Sequence, residues 1–348
     1  MSPRGWIFSL ITLLPVPFLL LAVFFGGLWV WMAFLYLSAV TFALDEMIAV
    51  TGRAKPGSEF PAADVLSVLL ALTHFGLLIL AILALSGHFG WTFAERIVGF
   101  FAFGLFFGQI SNPNAHELIH RTDKRLFNLG KWVFITLLFG HHTSAHRHVH
   151  HRFVGTKHDP NTASLGESFY SFAPRAWRGS FIEGLRAEGA LRSRAGNSSF
   201  LHHPYFSYIG GAFLTLFFSW LIAGWAGVLS LVLLAFYAQM QLLLSDYVQH
   251  YGLVRHVLAD GKLEPVAPHH SWNAPHWFSD YLMLSAPRHS DHHAHPARRY
   301  PLLELPSREA APMLPYGLPA TAAVALFPRS WRRMMDVRAR HWREKPRQ

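Results

Sequence analysis

Long uncharged stretches alternate with short polar ones along the chain, and their lengths set the architecture. Residues 5–44 carry no charge; as helix they would run about 60 Å at ~1.5 Å per residue, enough for two crossings of a hydrocarbon layer ~30 Å thick. Gly26-Gly27 is the natural hairpin between them, and Pro15 and Pro17 predict a kink in the first span. A second uncharged region is interrupted by Ser86-Gly87-His88 and by Glu95-Arg96, and a third is interrupted at Gly224–Gly227. The pattern predicts an all-α integral membrane protein with six spans at about 5–25, 28–45, 65–86, 92–112, 207–224 and 227–247. The apolar run 132–140 is too short to span and is expected to be re-entrant or buried. Residues 1–310 are expected to form a single domain, with loops at 46–64, 113–206 and 248–288, followed by a basic cytoplasmic or interfacial tail at 311–348.

Charge then orients these spans. Six crossings put the segments near 26, 87–91 and 224–227 on one side, and of the 30 Lys and Arg all but Arg96 fall on the other. The positive-inside rule makes that other side cytoplasmic. A formal net charge of +10 is therefore mostly topology, balanced by anionic headgroups, and calls for no nucleic acid. With 52% hydrophobic and only 14% charged residues, a disordered or fibrous chain is excluded.

Composition also limits the chemistry. There is no cysteine, so disulfides, thiolate zinc, iron–sulfur clusters and thiolate haem are all excluded, and any metal must sit on nitrogen and oxygen. There are 23 histidines, more than Asp and Glu together. His116 and His120 stand at i and i+4 at the inner end of the fourth span, on one helix face. His146, His150 and His151 repeat that pair and add a neighbour; His148 points away if the segment is helical. His289, His292 and His293 use i, i+3 and i+4, and His250 sits where the sixth span leaves the membrane. Nine imidazoles are too many for one ion, which predicts two metals with four or five nitrogens each.

Ligand type alone does not name the metal. His116-Glu117-Leu118-Ile119-His120 also reads as H-E-x-x-H, in which Glu117 would be the base of a membrane zinc protease, although that leaves most of the nine histidines without a role. A histidine-rich metal carrier is the non-enzymatic alternative, but its ligands belong near the middle of spans that here are almost free of ionisable groups.

Four segments carry a family resemblance: HELIHR from His116, HRHVHH from His146, DYVQHYGL from Asp246, and RHSDHHAHPARRY from Arg288 to Tyr300. With Asp159-Pro160 and Ser271-Trp272-Asn273, they make the chain resemble the membrane-bound alkane 1-monooxygenases of the integral-membrane di-iron hydroxylase and desaturase superfamily. The resemblance implies a cytoplasmic histidine cap on a bacterial inner-membrane protein, holding two non-haem irons that use O2 to convert an alkane to a primary alcohol. It also implies electrons from rubredoxin, or a ferredoxin, reduced by an NADH-dependent flavin reductase. Ala145, Asp246 and Gln249 depart from the family's usual residues, so oxidation of xylene or alkylbenzene methyl groups, and fatty-acyl hydroxylation or desaturation, stay open. Carboxylates are expected to orient the imidazoles, with Glu117, Asp159, Asp246 and Asp291 as candidates. Arg147, Arg152, Arg298 and Arg299 are expected to form a basic dock for the carrier. An alkane has no polar handle, so the spans are expected to wall a closed-ended apolar channel.

Overall fold

A computed structural model describes residues 3–47, 63–196, 199 and 202–345. Most of the expected 46–64 loop lies outside this set. Among the described residues the chain is helical without a β-strand; two isolated bridges, Val257 to Leu263 and Asn273 to Met313, tie loops of the cap.

Among the described residues five helices are long and apolar enough to cross a membrane: α1 (Gly5–Phe25), α2 (Leu28–Met47), α3 (Ala63–Leu85), α4 (Phe93–Leu118) and, after two helices of the cap, α7 (Pro204–His250). The α1 helix is interrupted at Leu14, just ahead of Pro15. Gly26 and Gly27 turn it into α2 with φ of 58° and 54°, values that a side chain disfavours. Thr92 and Glu95 form a reciprocal cap that starts α4.

The 47 residues of α7 are not one rod. Ala223 and Gly224 leave helical geometry, with Gly224 at φ 58°. A methyl group on Gly227 would come within 2.5 Å of the Ser219 carbonyl, eight residues earlier, so the chain doubles back here. Its two ends meet the same short segment: Tyr208 bonds Ser144 at 2.8 Å and Gln239 donates to the Leu137 carbonyl at 2.8 Å. The two limbs fall where the fifth and sixth spans are expected.

Three turns share one end of the bundle. Trp91 donates to the Ala22 carbonyl at 3.1 Å, the Gly27 amide donates to Glu95, and Ser86 faces Ser230 at 3.4 Å. The histidine segments lie at the opposite end. Between the ends, Leu69, Ile79, Phe213, Phe217 and Phe236 are exposed around the bundle, a belt that water would not tolerate and lipid covers. The chain is an integral membrane protein.

Two cap helices, α5 (Lys124–Thr136) and α6 (Phe169–Arg194), cover the histidine end. The run expected to be buried supplies the core side of α5, with Val133, Phe134 and Ile135 fully covered. A short helix α8 (His289–Ala294) follows, and then two C-terminal helices, α9 (Leu318–Ala325) and α10 (Pro328–Glu344). Trp331 of α10 is fully buried, with ring centroids 5.4 and 5.1 Å from those of Tyr247 and Tyr251.

Candidate metal centre

The nine histidines come from four places in the chain and meet at the cap end of the bundle. The α4 helix runs past its expected end, through a π turn at Phe107–Ser111, and delivers His116 and, just beyond, His120. The end of α7 brings His250, and α8 brings His289, His292 and His293. His146–His150 is itself a π turn. Its wider winding aligns residues five apart rather than four, so His146 and His151 face together while His150 turns elsewhere. The i, i+4 pairing of His146 with His150 expected from the sequence is therefore replaced by an i, i+5 pairing.

The result is two adjoining groups. His116, His120, His146, His151 and His292 have donor atoms all within 4.8 Å of one another, and so do His150, His250, His289 and His293. In the first, the Nε2 of His146 lies 2.6 Å from that of His116 and 2.8 Å from that of His151, which in turn lies 3.1 Å from that of His292. In the second, the Nε2 of His289 lies 2.9 Å from that of His250 and 3.1 Å from that of His293. The groups touch where the rings of His151 and His293 stand 4.6 Å apart.

This chemistry fits metal ions better than hydrogen bonding. A neutral imidazole has a single N–H, so a convergence of several Nε2 atoms cannot be satisfied internally. Imidazole bonds of ~2.0–2.1 Å to one ion put neighbouring donors roughly 3 Å apart, the spacing seen here. Burial, reinforced by the neighbouring histidines, pushes His146, His151, His289, His292 and His293 well below their ordinary pKa. They are neutral at pH 7, the form that binds metal.

Polar partners fix the rings from behind. His150 Nδ1–H donates to Asp159 Oδ2 at 2.8 Å, leaving Nε2 as the lone-pair nitrogen. Burial would raise the Asp159 carboxyl, but His150, Thr162 and the Asn161 amide hold it below its usual range. Burial would likewise lower His150, and Asp159, helped by Asp246, outweighs that to hold it above, so the Nε2 lone pair becomes available as its proton is released on metal binding. Asp246 does not touch a histidine in the groups; it accepts from Asn161 Nδ2 at 2.6 Å, and the Asn161 amide N–H donates to Asp159 at 3.0 Å. His250 Nδ1–H donates to the His270 carbonyl at 3.3 Å, and His270 is held by Glu264 at 2.8 Å. Asn273 bonds both the side chain and the amide of Ser290, at 2.6 and 3.0 Å, and so seats α8. The buried pair of Arg288 and Asp280, at 2.7 Å, anchors the residue before His289.

Two expected carboxylates point elsewhere. Asp291 is bound by Arg298 at 2.7 Å and by His295 at 2.8 Å. Glu117 is paired with Arg121 at 2.6 Å and accepts from the Tyr300 amide at 3.3 Å, so it does not stand over its histidines as a protease base. Of the four arginines expected at a dock, Arg298 is tied to Asp291 and Arg299 pairs with Asp64 at 3.1 Å. Arg147 and Arg152 are exposed, each lying over a phenylalanine ring at 5.0 Å. His148 faces Glu188 at 3.5 Å, outside both groups. Asn161, His270, Asn273 and Arg288 were not among the expected site residues; a signal for Asn161 was its place next to Asp159-Pro160.

A cavity of about 290 Å3 opens beside the groups and is lined by one histidine from each, His116 and His289. It runs along α4 to Leu105, about 16 Å away at ~1.5 Å per residue. Tyr237, Met240, Leu244 and Met283 wall it, with Leu318 and Ala322 of α9. Gln109, Asn112, Ser245 and Gln249 make part of the lining polar.

The sequence model of the fatty acid desaturase family matches residues 96–324, which hold all nine histidines. The chain is 31% identical to alkane 1-monooxygenase 1 of Alcanivorax borkumensis over 315 residues, covering 86% of this chain and 75% of the relative. It is 31% identical to alkane 1-monooxygenase 2 of Pseudomonas aeruginosa over 325 residues, covering 90% and 84%. Similarity extends to the xylene/toluene monooxygenase hydroxylase component of Pseudomonas putida, at 26% over 325 residues, 90% of this chain and 83% of the relative.

Proposed function

The chain belongs to the fatty acid desaturase family, among its alkane 1-monooxygenases, and from that premise we propose that it hydroxylates the terminal methyl group of an alkane at two irons held by the nine histidines. The observation that carries the reading is the apolar cavity ending on His116 and His289, one histidine from each group. Bound there, the irons would supply dioxygen activation, in which one oxygen atom enters the C–H bond and the other leaves as water, with two electrons and two protons consumed.

The chain's own residues do the rest. The cavity takes a saturated chain out of lipid and grips it by burial, worth ~0.8 kcal/mol per methylene relative to water. Its length along α4 decides which carbon reaches the histidines. His116 and His289 hold the methyl end beside both groups, and the surrounding buried rings keep bulk water out. Asp159 keeps His150 in the tautomer whose Nε2 faces the site, and Asn161 couples that carboxylate to Asp246.

Without cysteine the chain cannot carry an iron–sulfur centre of its own, so electrons come from a separate protein. We take this carrier to be rubredoxin, or a ferredoxin, reduced by an NADH-dependent flavin reductase. The charge distribution supports a histidine end in the cytoplasm, and the bacterial relatives support an inner-membrane setting. Xylene methyl oxidation is the second reading, favoured by the similarity to the xylene/toluene enzyme.

Membranes containing the protein, supplied with rubredoxin, its reductase and NADH, are expected to turn octane or hexadecane into the primary alcohol, read by mass spectrometry. Preferential formation of methylbenzyl alcohol from xylene would select the second reading, and no hydroxylated product from any of the three would refute both. His292→Ala is expected to abolish the product while the protein stays folded in the membrane; retained activity would remove His292 from the ligand set.

A further inference from the structure

The α10 helix lies beyond the stretch that the family model matches, and its two faces differ. One is spent on the protein: Trp331, Met335 and Ala339 are buried, and Asp336 accepts the Tyr251 hydroxyl at 2.6 Å. The opposite face carries Arg329, Arg333 and Arg340, flanked by Arg332 and Arg343, and all five are exposed. Among the described residues one carboxylate contact is made by these five, Arg340 with Asp336 at 4.0 Å.

An amphipathic helix that anchors to lipid does so by burying its apolar side in the headgroup region. Here that side is already covered by Tyr247, Tyr251 and Gly252, which leaves a field of guanidinium groups suited to a soluble anionic partner. Beneath the arginines, Trp331 packs on Tyr251, and Tyr251 is peptide-bonded to His250 of the second histidine group. A carrier seated on α10 would be separated from that group by the helix itself, two buried aromatic rings and one peptide link.

We propose that the arginine face of α10 is the docking surface for the acidic one-electron carrier protein that supplies the site. The inference rests on the hydroxylase reading above. Each turnover then needs two carrier visits, each carrier losing one electron, and the pair balances the two electrons taken by dioxygen. Arg147 and Arg152 offer two separated cations on phenylalanine rings, a smaller charge than the five on α10.

The test uses the full chain in phosphatidylcholine nanodiscs, titrated with oxidised rubredoxin at low and at physiological ionic strength. Arg333→Glu with Arg340→Glu is expected to weaken binding at least about tenfold at low salt, with the difference shrinking as salt rises. Arg333→Lys with Arg340→Lys is expected to keep most of the affinity, which separates lost charge from lost folding. Octane hydroxylation driven by reduced methyl viologen is expected to be unchanged in the reversal variant, while rubredoxin-driven turnover falls. Unchanged rubredoxin affinity in the reversal variant overturns the proposal. So does loss of affinity only in an Arg147→Glu/Arg152→Glu variant, or an effect of the α10 reversal confined to binding of phosphatidylglycerol vesicles. Absence of octanol from the unmodified protein with either electron source would sink the hydroxylase reading, while the titration would still decide where the carrier sits.

Discussion

Asp159 carries more of the site's geometry than any other single carboxylate, because it fixes a ring that has no other orienting partner behind it. Asn in its place keeps the shape but loses the charge and the certainty of tautomer at His150. Changes behind a metal-binding histidine commonly cost about 10–100-fold in metal affinity or activity. Asp159→Asn is therefore expected to lower iron retained through dialysis against a chelator, measured by elemental analysis, with a matching drop in alcohol formed. Asp291→Asn is expected to leave iron retention unchanged, since that carboxylate serves Arg298 and His295. The histidine clusters could be read from the sequence, through helical spacing for His116 with His120 and for His289 with His292 and His293, and through its place where the sixth span leaves the membrane for His250. Their division could not: the π turn at His146–His150 reassigns His150, and nothing in the residue types announces that extra winding. Asn161, His270 and Asn273 escaped for another reason. They act through hydrogen bonds within loops or across the chain, from Glu264 six residues before His270 to Asp246 85 residues after Asn161, and polar loop residues carry no period.

The helix α4 is the element on which both ligand placement and substrate length depend. It is pressed against α5 at Gly130, where an added methyl group would come within 2.6 Å of Leu118 and 2.8 Å of the Ala115 carbonyl. Gly130→Ala must push apart the two helices just where His116 and His120 emerge. Overpacking of this kind costs about 1–3 kcal/mol, so a lower Tm and reduced iron content are expected together. At the far end of the cavity, Leu105→Trp is expected to shorten the space and shift product formation from hexadecane towards octane in a competition assay. An unchanged ratio would mean that α4 does not set the length. The long apolar helices and the Gly26-Gly27 and Gly224 reversals were legible because uncharged length and glycine are strong signals. The place of α9 in the cavity wall was not, since an eight-residue helix is too short to register as a span and only packing on α7 reveals its role.

At the scale of the whole molecule, the fold keeps two incompatible environments apart. One end of the bundle carries short turns, and the other gathers nine imidazoles under a charged cap, with a lipid-facing belt between them. The charge pattern of the sequence sets Arg96 apart from the other Lys and Arg, and the structure places Arg96 at the end of the short turns, where it donates to the Trp91 carbonyl at 3.1 Å. The tail was only half readable: its basic character was plain, but the burial of Trp331 against Tyr247 and Tyr251 depends on contacts across the molecule. The five-and-four division is the feature that joins these scales, and elemental analysis of the purified full-length protein, produced with ample iron and normalised to chain concentration, tests it most directly. Two irons per chain, falling to about one in a His250→Ala/His289→Ala variant, is the expected result. A single ion per chain, or zinc in place of iron, would contradict the account.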